Sequence, residues 1–166
     1  KYLDNLNVPK KEKKGLLKKM IKNYRLHKPN LKPYKYFYDF IKKNYKKYFL
    51  ILLTDGHTKV QKNKFKSLNL EKFFDMKIYT GMNVEKHKPA EWSYKKIMKK
   101  FELKPQEILC VGDNPNKDFI TPNKMGMHTL RIKKGRFKNL KKCNDAKISI
   151  EKFSGNFIKL IEKIKK

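Results

Sequence analysis

From about residue 35 onward the apolar positions fall into two alternating kinds of segment, short continuous runs and longer stretches with helical spacing. Phe37, Phe40, Ile41, Tyr45 and Tyr48 recur on one helical face, and the run 49–54 that follows predicts a buried strand closed by the turn dipeptide Asp55-Gly56. A helix is expected over 58–69 and a second strand over 76–80. Tyr94, Ile97, Met98 and Phe101 then give the i, i+3, i+4, i+7 spacing of a helix over 90–101, ended by Leu103-Lys104-Pro105. A third strand is predicted over 108–112, a short helix over 116–125 with Gly126 as its C-cap, a fourth strand over 127–132 and an edge strand over 146–150. Phe157, Ile158, Ile161 and Ile164 mark a terminal amphipathic helix.

Strand, helix, strand at this spacing implies right-handed crossovers, hence a Rossmann-like, doubly wound α/β domain with a mostly parallel sheet and helices on both faces. The first part of the chain differs. Leu16, Leu17, Met20, Ile21 and Tyr24 outline an amphipathic helix with no strand before it, and the stretch 27–33 carries two prolines, Pro29 and Pro33. The expected division is therefore a helical appendage and linker over 1–33 and an α/β unit over 34–166.

The apolar share is 39% with 13% aromatic, which excludes disorder for most of the 166 residues. The longest apolar run, Phe49 to Leu53, is far short of the roughly 20 residues of a spanning helix, and the basic amino-terminal stretch lacks the apolar segment of a signal peptide. Cys110 and Cys143 offer neither metal-ligand spacing nor a disulfide framework, so a reducing cytoplasm is expected. The formal net charge of +29 suggests a polyanionic partner such as nucleic acid. Only Arg25, Arg131 and Arg136 are arginines, however, and the 41 lysines are scattered along the whole length. That distribution favours solvated faces over a groove-reading surface, with a basic polyanion binder as the alternative reading.

In open α/β sheets ligands bind beyond the carboxyl ends of the strands. Three such ends carry chemistry: Leu53-Thr54-Asp55-Gly56, then His87-Lys88-Pro89 after the second strand, and the loop from Gly112 through Asp113, Asn114 and Pro115 to Asp118. Together they supply a hydroxyl, an ammonium and paired carboxylates. In order and spacing these segments resemble the motifs of the haloacid dehalogenase superfamily, over about residues 29–139.

The resemblance implies a magnesium-dependent phosphatase of a small phosphorylated metabolite, working through an aspartyl-phosphate. Thr54 would be the strand-ending hydroxyl that bonds the phosphoryl group, with Asp55 and Gly56 beside it, and Lys88 the ammonium of the third motif. Asp113 and Asp118 would hold Mg2+ directly or through water, with Asn114 next to the metal; hard oxygen ligands suit that ion. The first 28 or so residues would be the end of a helical cap. The family's first motif, an apolar strand followed by Asp-x-Asp, has no counterpart: none of the seven aspartates, Asp4, Asp39, Asp55, Asp75, Asp113, Asp118 and Asp145, has another two positions later. In the family that strand is the centre of the sheet, so the visible strands are expected to flank an empty position. An upstream segment of a longer protein, a second chain, or closure of the fold into a non-catalytic pseudoenzyme would each account for it.

Overall fold

A computed structural model describes residues 8–140 and 145–151, together with Lys159 and Ile161. Helix α1 (Lys10–Leu26) starts behind Pro9 and stops at His27, just before Pro29. Its stripe of Leu16, Leu17, Met20, Ile21 and Tyr24 is solvent-exposed. The Asn63 side chain donates to the His27 carbonyl at 3.0 Å and ties the end of α1 to the rest of the molecule. Helix α2 (Lys35–Asn44) buries Phe40 and Ile41, and the Asn44 amide folds back onto the Phe40 carbonyl at 2.9 Å to satisfy an orphan acceptor of the last turn.

The strands and helices then alternate: β1 (Ile51–Thr54), α3 (Thr58–Ser67), β2 (Met76–Tyr79), α4 (Trp92–Phe101), β3 (Leu109–Gly112), α5 (Ile120–Lys124), β4 (His128–Ile132) and β5 (Ile148–Ile150). Single 3-10 turns at Glu71–Phe73, Val84–Lys86, Pro105–Glu107 and Gly135–Phe137 join them. Three helices are shorter than the periodicity predicts, for local reasons. Asn69 takes a left-handed φ of 53° and cannot extend α3, while α4 starts only after the turn that follows Pro89. The expected helix 116–125 shrinks to α5 because Lys117 and Asp118 donate their N–H groups to the Asn114 carbonyl, closing a separate turn around the Asp118 side chain. Of the terminal helix, Ile161 is helical and buried in the core, whereas Phe157, Ile158 and Ile164 lie outside the described residues, as do Asp4 and Cys143.

Among the described residues every strand pair is parallel, and the strands form two sheets. β1 pairs with β2 in the register Ile51↔Met76 to Thr54↔Tyr79, and β3, β4 and β5 form a second sheet in that order. Among the described residues β1 and β3 do not pair. The two sheets nevertheless share both of their apolar layers. On one face Leu50 just before β1, Leu52 of the first sheet and Leu109, Leu130, Ile132, Ile148 and Ile150 of the second pack against Phe40, Ile41 and Phe65 from α2 and α3. On the opposite face Ile51, Leu53, Met76, Ile78 and Ile108 gather on Ile97 and Phe101 of α4. This alternation of inward and outward residues is what a continuous parallel sheet between helical layers demands. Helices on both faces therefore hold the two sheets in one doubly wound α/β core.

Arg131 on β4 is the largest fully buried side chain among the described residues, 1% exposed. Its guanidinium pairs with Asp145 and donates to the carbonyls of Phe137 at 2.6 Å and Leu140 at 2.7 Å. The fork reaches three acceptors at once, which an ammonium cannot do from one position. It binds the long connection after β4 back onto the sheet.

Candidate active site

The carboxyl ends of β1, β2 and β3 meet at one edge of the molecule, and the side chains that bring them together are those of the strand-end segments. The loop after β1 enters a left-handed turn at Gly56 (φ 96°), which bridges antiparallel to Gly81 beyond β2. A Cβ on Gly81 would stand 2.9 Å from the Thr58 hydroxyl, so this crossing of two loops requires a bare backbone. Asp55 turns inward. Its carboxylate accepts from the Lys88 backbone N–H at 3.2 Å and from the Thr80 hydroxyl at 3.1 Å, and so locks the segment after β2 to the end of β1. The Thr54 hydroxyl donates to Gln61 Oε1 at 3.2 Å, on the first turns of α3.

Lys88 projects from this lock across to the loop after β3, where its Nζ lies 2.7 Å from Asp118 Oδ1. The Lys88–Pro89 peptide is cis, and the Pro89 carbonyl accepts from the Thr121 hydroxyl at the start of α5. The other oxygen of Asp118 accepts from the backbone N–H groups of Asp113 at 3.1 Å and Asn114 at 2.9 Å. Asn114 Oδ1 in turn accepts from Asn116 N–H at 3.0 Å. Both Asp118 oxygens and the Asn114 amide oxygen are thus engaged within the protein, where the residue pattern alone pointed to a metal ligand and its neighbour.

Asp113 differs. It is half-buried, and no ion pair reaches its carboxylate among the described residues. Burial, and secondly the charge of Asp118, push its carboxyl above the usual range; its own backbone N–H, Lys88 and the Arg136 guanidinium pull the other way. A carboxylate held in this state is under-compensated, and a divalent cation would relieve it. No cluster of three or more His, Cys, Asp or Glu side chains exists among the described residues to hold a metal. The donor set still fits Mg2+, which keeps several waters and takes one or two carboxylates plus substrate phosphate oxygens. Asp113 is a residue that could hold it.

Gly112 is the pivot of this loop. A Cβ there would come 2.5 Å from Asp118 Oδ2 and 2.7 Å from Asp118 Cβ, so the carboxylate can lie against β3 only because the strand ends on glycine. Gly112→Ala is expected to cost about 1–3 kcal/mol of stability as an overpacking change, read as a shifted urea midpoint. An unaltered midpoint would show that Asp118 can retreat without loss.

The structure therefore brings Thr54, Asp55, Gly56, Lys88, Asp113, Asn114 and Asp118 to one edge. Residue pattern alone missed Gln61, Thr80, Gly81, Tyr94 and Arg136. Gln61 follows Thr54 by seven positions, a distance that only the β1–α3 turn converts into contact. Tyr94 is buried on α4, its phenol raised chiefly by that burial and further by the charges of Cys110, Asp118 and Asp55. Nothing in its helical spacing separates it from an ordinary core residue.

Comparison with known proteins gives the family and the fold. The profile of the haloacid dehalogenase-like hydrolases matches residues 1–132. A glyceraldehyde 3-phosphate phosphatase of Methanocaldococcus jannaschii is 35% identical over 89 residues, which is 54% of this chain and 39% of that protein. Among solved structures, a predicted phosphoglycolate phosphatase from Haemophilus somnus superposes with a TM-score of 0.65 at 21% identity, over 77% of this chain and 56% of its own. A HAD-hydrolase from Bacillus subtilis bound to magnesium gives 0.61 at 16% identity, over 76% and 54%. The chain thus spans well under half the length of the curated relative. With most of its length covered by the profile and its strand-end residues gathered at one edge of a parallel sheet, the chain belongs to the haloacid dehalogenase-like hydrolase family.

Proposed function

We propose that this chain is the sheet-and-helix core of a Mg2+-dependent phosphohydrolase that acts on a small phosphorylated metabolite through an aspartyl-phosphate. The observation that carries the reading is the convergence of Lys88 and the under-compensated Asp113 on the edge where Thr54 ends β1. The phosphatase named among the relatives and the magnesium in one structural neighbour support it. Asp113 would hold the metal, which supplies positive charge to offset that of the phosphoryl oxygens. Asp118 keeps the loop folded and Lys88 in place, and Lys88 meets the phosphoryl charge. Thr54 turns its hydroxyl from Gln61 to the phosphoryl group. The attacking carboxylate comes from an Asp-x-Asp strand that is not among these 166 residues.

Calorimetry on the full chain tests this. Asp113→Asn is expected to weaken Mg2+ binding and Lys88→Ala to weaken binding of inorganic phosphate. Thr54→Val removes one hydrogen bond to a charged group, about 1.5–3 kcal/mol, so phosphate affinity should fall roughly 10- to 100-fold. Wild-type affinities in all three variants would overturn the reading.

Asp113→Asn also has a signed effect on stability. A carboxyl raised in the folded state favours folding while protonated, and that contribution is lost as pH rises through its folded value. At neutral pH without metal the asparagine variant should therefore melt at or above the parent. Added Mg2+ should raise the parent's Tm and leave the variant's unchanged. A variant that melts lower without metal and still responds to Mg2+ would exclude Asp113 as the ligand.

A further inference from the structure

A cavity of about 470 Å3 opens where the chain enters β1 and β2, and we propose that it binds a small aromatic anion of the nucleoside monophosphate class. The proposal uses no residue of the strand-end site and does not depend on the phosphatase reading. The wall is made by two segments: 45–49 runs from the end of α2 toward β1, and 72–75 leads into β2. They are tied together twice. Asp75 N–H donates to the Leu50 carbonyl at 2.9 Å, and Leu50 N–H donates to the Asp75 carboxylate at 2.8 Å. The length of β1, roughly 10 Å at the usual rise of a strand, separates this cavity from the Thr54 edge.

Aromatic rings and ammonium groups share the lining. Phe73 is buried and meets the Tyr45 ring edge to face, their centroids 5.2 Å apart. Phe49 is 54% exposed and leans on Phe101 with centroids 4.5 Å apart. Rings braced by ring neighbours lose little further freedom when a planar ligand packs on them. Lys46, Lys47 and Lys72 add three ammonium groups, against one carboxylate among the described lining residues, that of Asp75, which already accepts from Leu50. Lys46 Nζ stands 6.0 Å from the centre of the Tyr45 ring and Lys72 Nζ 5.2 Å from that of Phe73, so the charge sits beside the rings. The negative end of the α2 dipole opposes an anion. It is partly answered within the chain, since the Asn44 amide donates to the Phe40 carbonyl, and the N–H groups of Lys47 and Tyr48 donate to that of Asn44.

This lining selects the occupant. A purely apolar molecule leaves the lysines unused, an inorganic anion leaves the rings unused, and a cation is repelled. A nucleoside monophosphate joins a planar base to a phosphate, and the cavity falls in the range of about 300–1,000 Å3 that small-molecule pockets occupy. Bases on aromatic rings with phosphates at lysines also characterise single-strand binding, which needs a basic groove that tracks the backbone. Here the lysines are scattered along the whole chain and the cavity is a single chamber, so the free mononucleotide is the ligand.

Titration of isotope-labelled residues 1–166 with adenosine monophosphate, followed by amide NMR, tests this. The amides of 45–49 and 72–75 should shift and saturate, while adenosine and inorganic phosphate should each bind there at least tenfold more weakly. Lys46→Gln combined with Lys72→Gln should lower the affinity at least tenfold, and the corresponding double arginine variant should bind like the parent. Both lysines are exposed, so the two variants should melt with the parent. The proposal is overturned if these amides do not respond, or if the response is confined to 54–56, 88 and 113–118, which would make the nucleotide a ligand of the strand-end site. It is equally overturned if phosphate or adenosine alone binds as well, if the double glutamine variant keeps the parent's affinity, or if an oligodeoxyadenylate binds these amides more tightly than the mononucleotide, which would make a strand the occupant.

Discussion

Asp118→Ala is expected to lose about 3–5 kcal/mol of folding free energy, the usual consequence of removing one partner from a buried ion pair. The Asp118 carboxylate is 9% exposed and serves three donors: Lys88 Nζ on one oxygen, the N–H groups of Asp113 and Asn114 on the other. Alanine leaves a mostly buried ammonium without its counter-charge and two loop N–H groups without an acceptor. Asp118→Asn keeps an oxygen for the two N–H groups but turns an amide NH2 toward Lys88, so it should fall between alanine and the parent. Urea unfolding at low salt and at 0.5 M NaCl checks both points. Because the pair is largely out of water, the ranking should survive the added salt. An alanine variant within about 0.5 kcal/mol of the parent, the ordinary range for an inconsequential surface change, would show that the Asp118 clamp does not hold the loop.

The second large effect concerns turnover. Residues 1–166 alone should release no measurable phosphate from a phosphomonoester, because a metal and an ammonium can offset charge but cannot form the covalent intermediate without a nucleophile. A fusion that supplies an apolar strand ending in Asp-x-Asp should hydrolyse p-nitrophenyl phosphate with Mg2+ and stop in EDTA. Within that fusion, Lys88→Ala should lower kcat by about 10²- to 10³-fold, the usual loss on removing one pre-placed group that stabilises transition-state charge. Robust metal-dependent hydrolysis by residues 1–166 alone would place the nucleophile among the seven aspartates already present.

Periodicity was a reliable guide to the elements. The run ending in Thr54, the helical face of Tyr94, Ile97 and Phe101, and the strand ending on Gly112 each carry a signal that depends on neighbours a few positions away. Helix ends were less legible. Asn69 stops α3 through a single left-handed φ, and the separate turn closed on the Asn114 carbonyl precedes α5. The strand-end residues could be picked out in order, yet their division of labour could not. Asp113 and Asp118 read as two equivalent carboxylates. In the fold, the backbone N–H groups of the loop and Lys88 compete for Asp118, and Asp113 is left under-compensated.

Local spacing, turn dipeptides and the order of short motifs are properties of consecutive residues, so the α/β class, the parallel connections and the identity of the chemical groups follow from the chain read in order. Which groups meet is a property of long-range closure. Asp55 and Lys88 are 33 positions apart and Lys88 and Asp118 are 30, and they touch only because helices on both faces draw two separate sheets together. The division of the described strands into two sheets belongs to the same level. Strand pairing is decided between edges, and a strand's own residues do not name its partner.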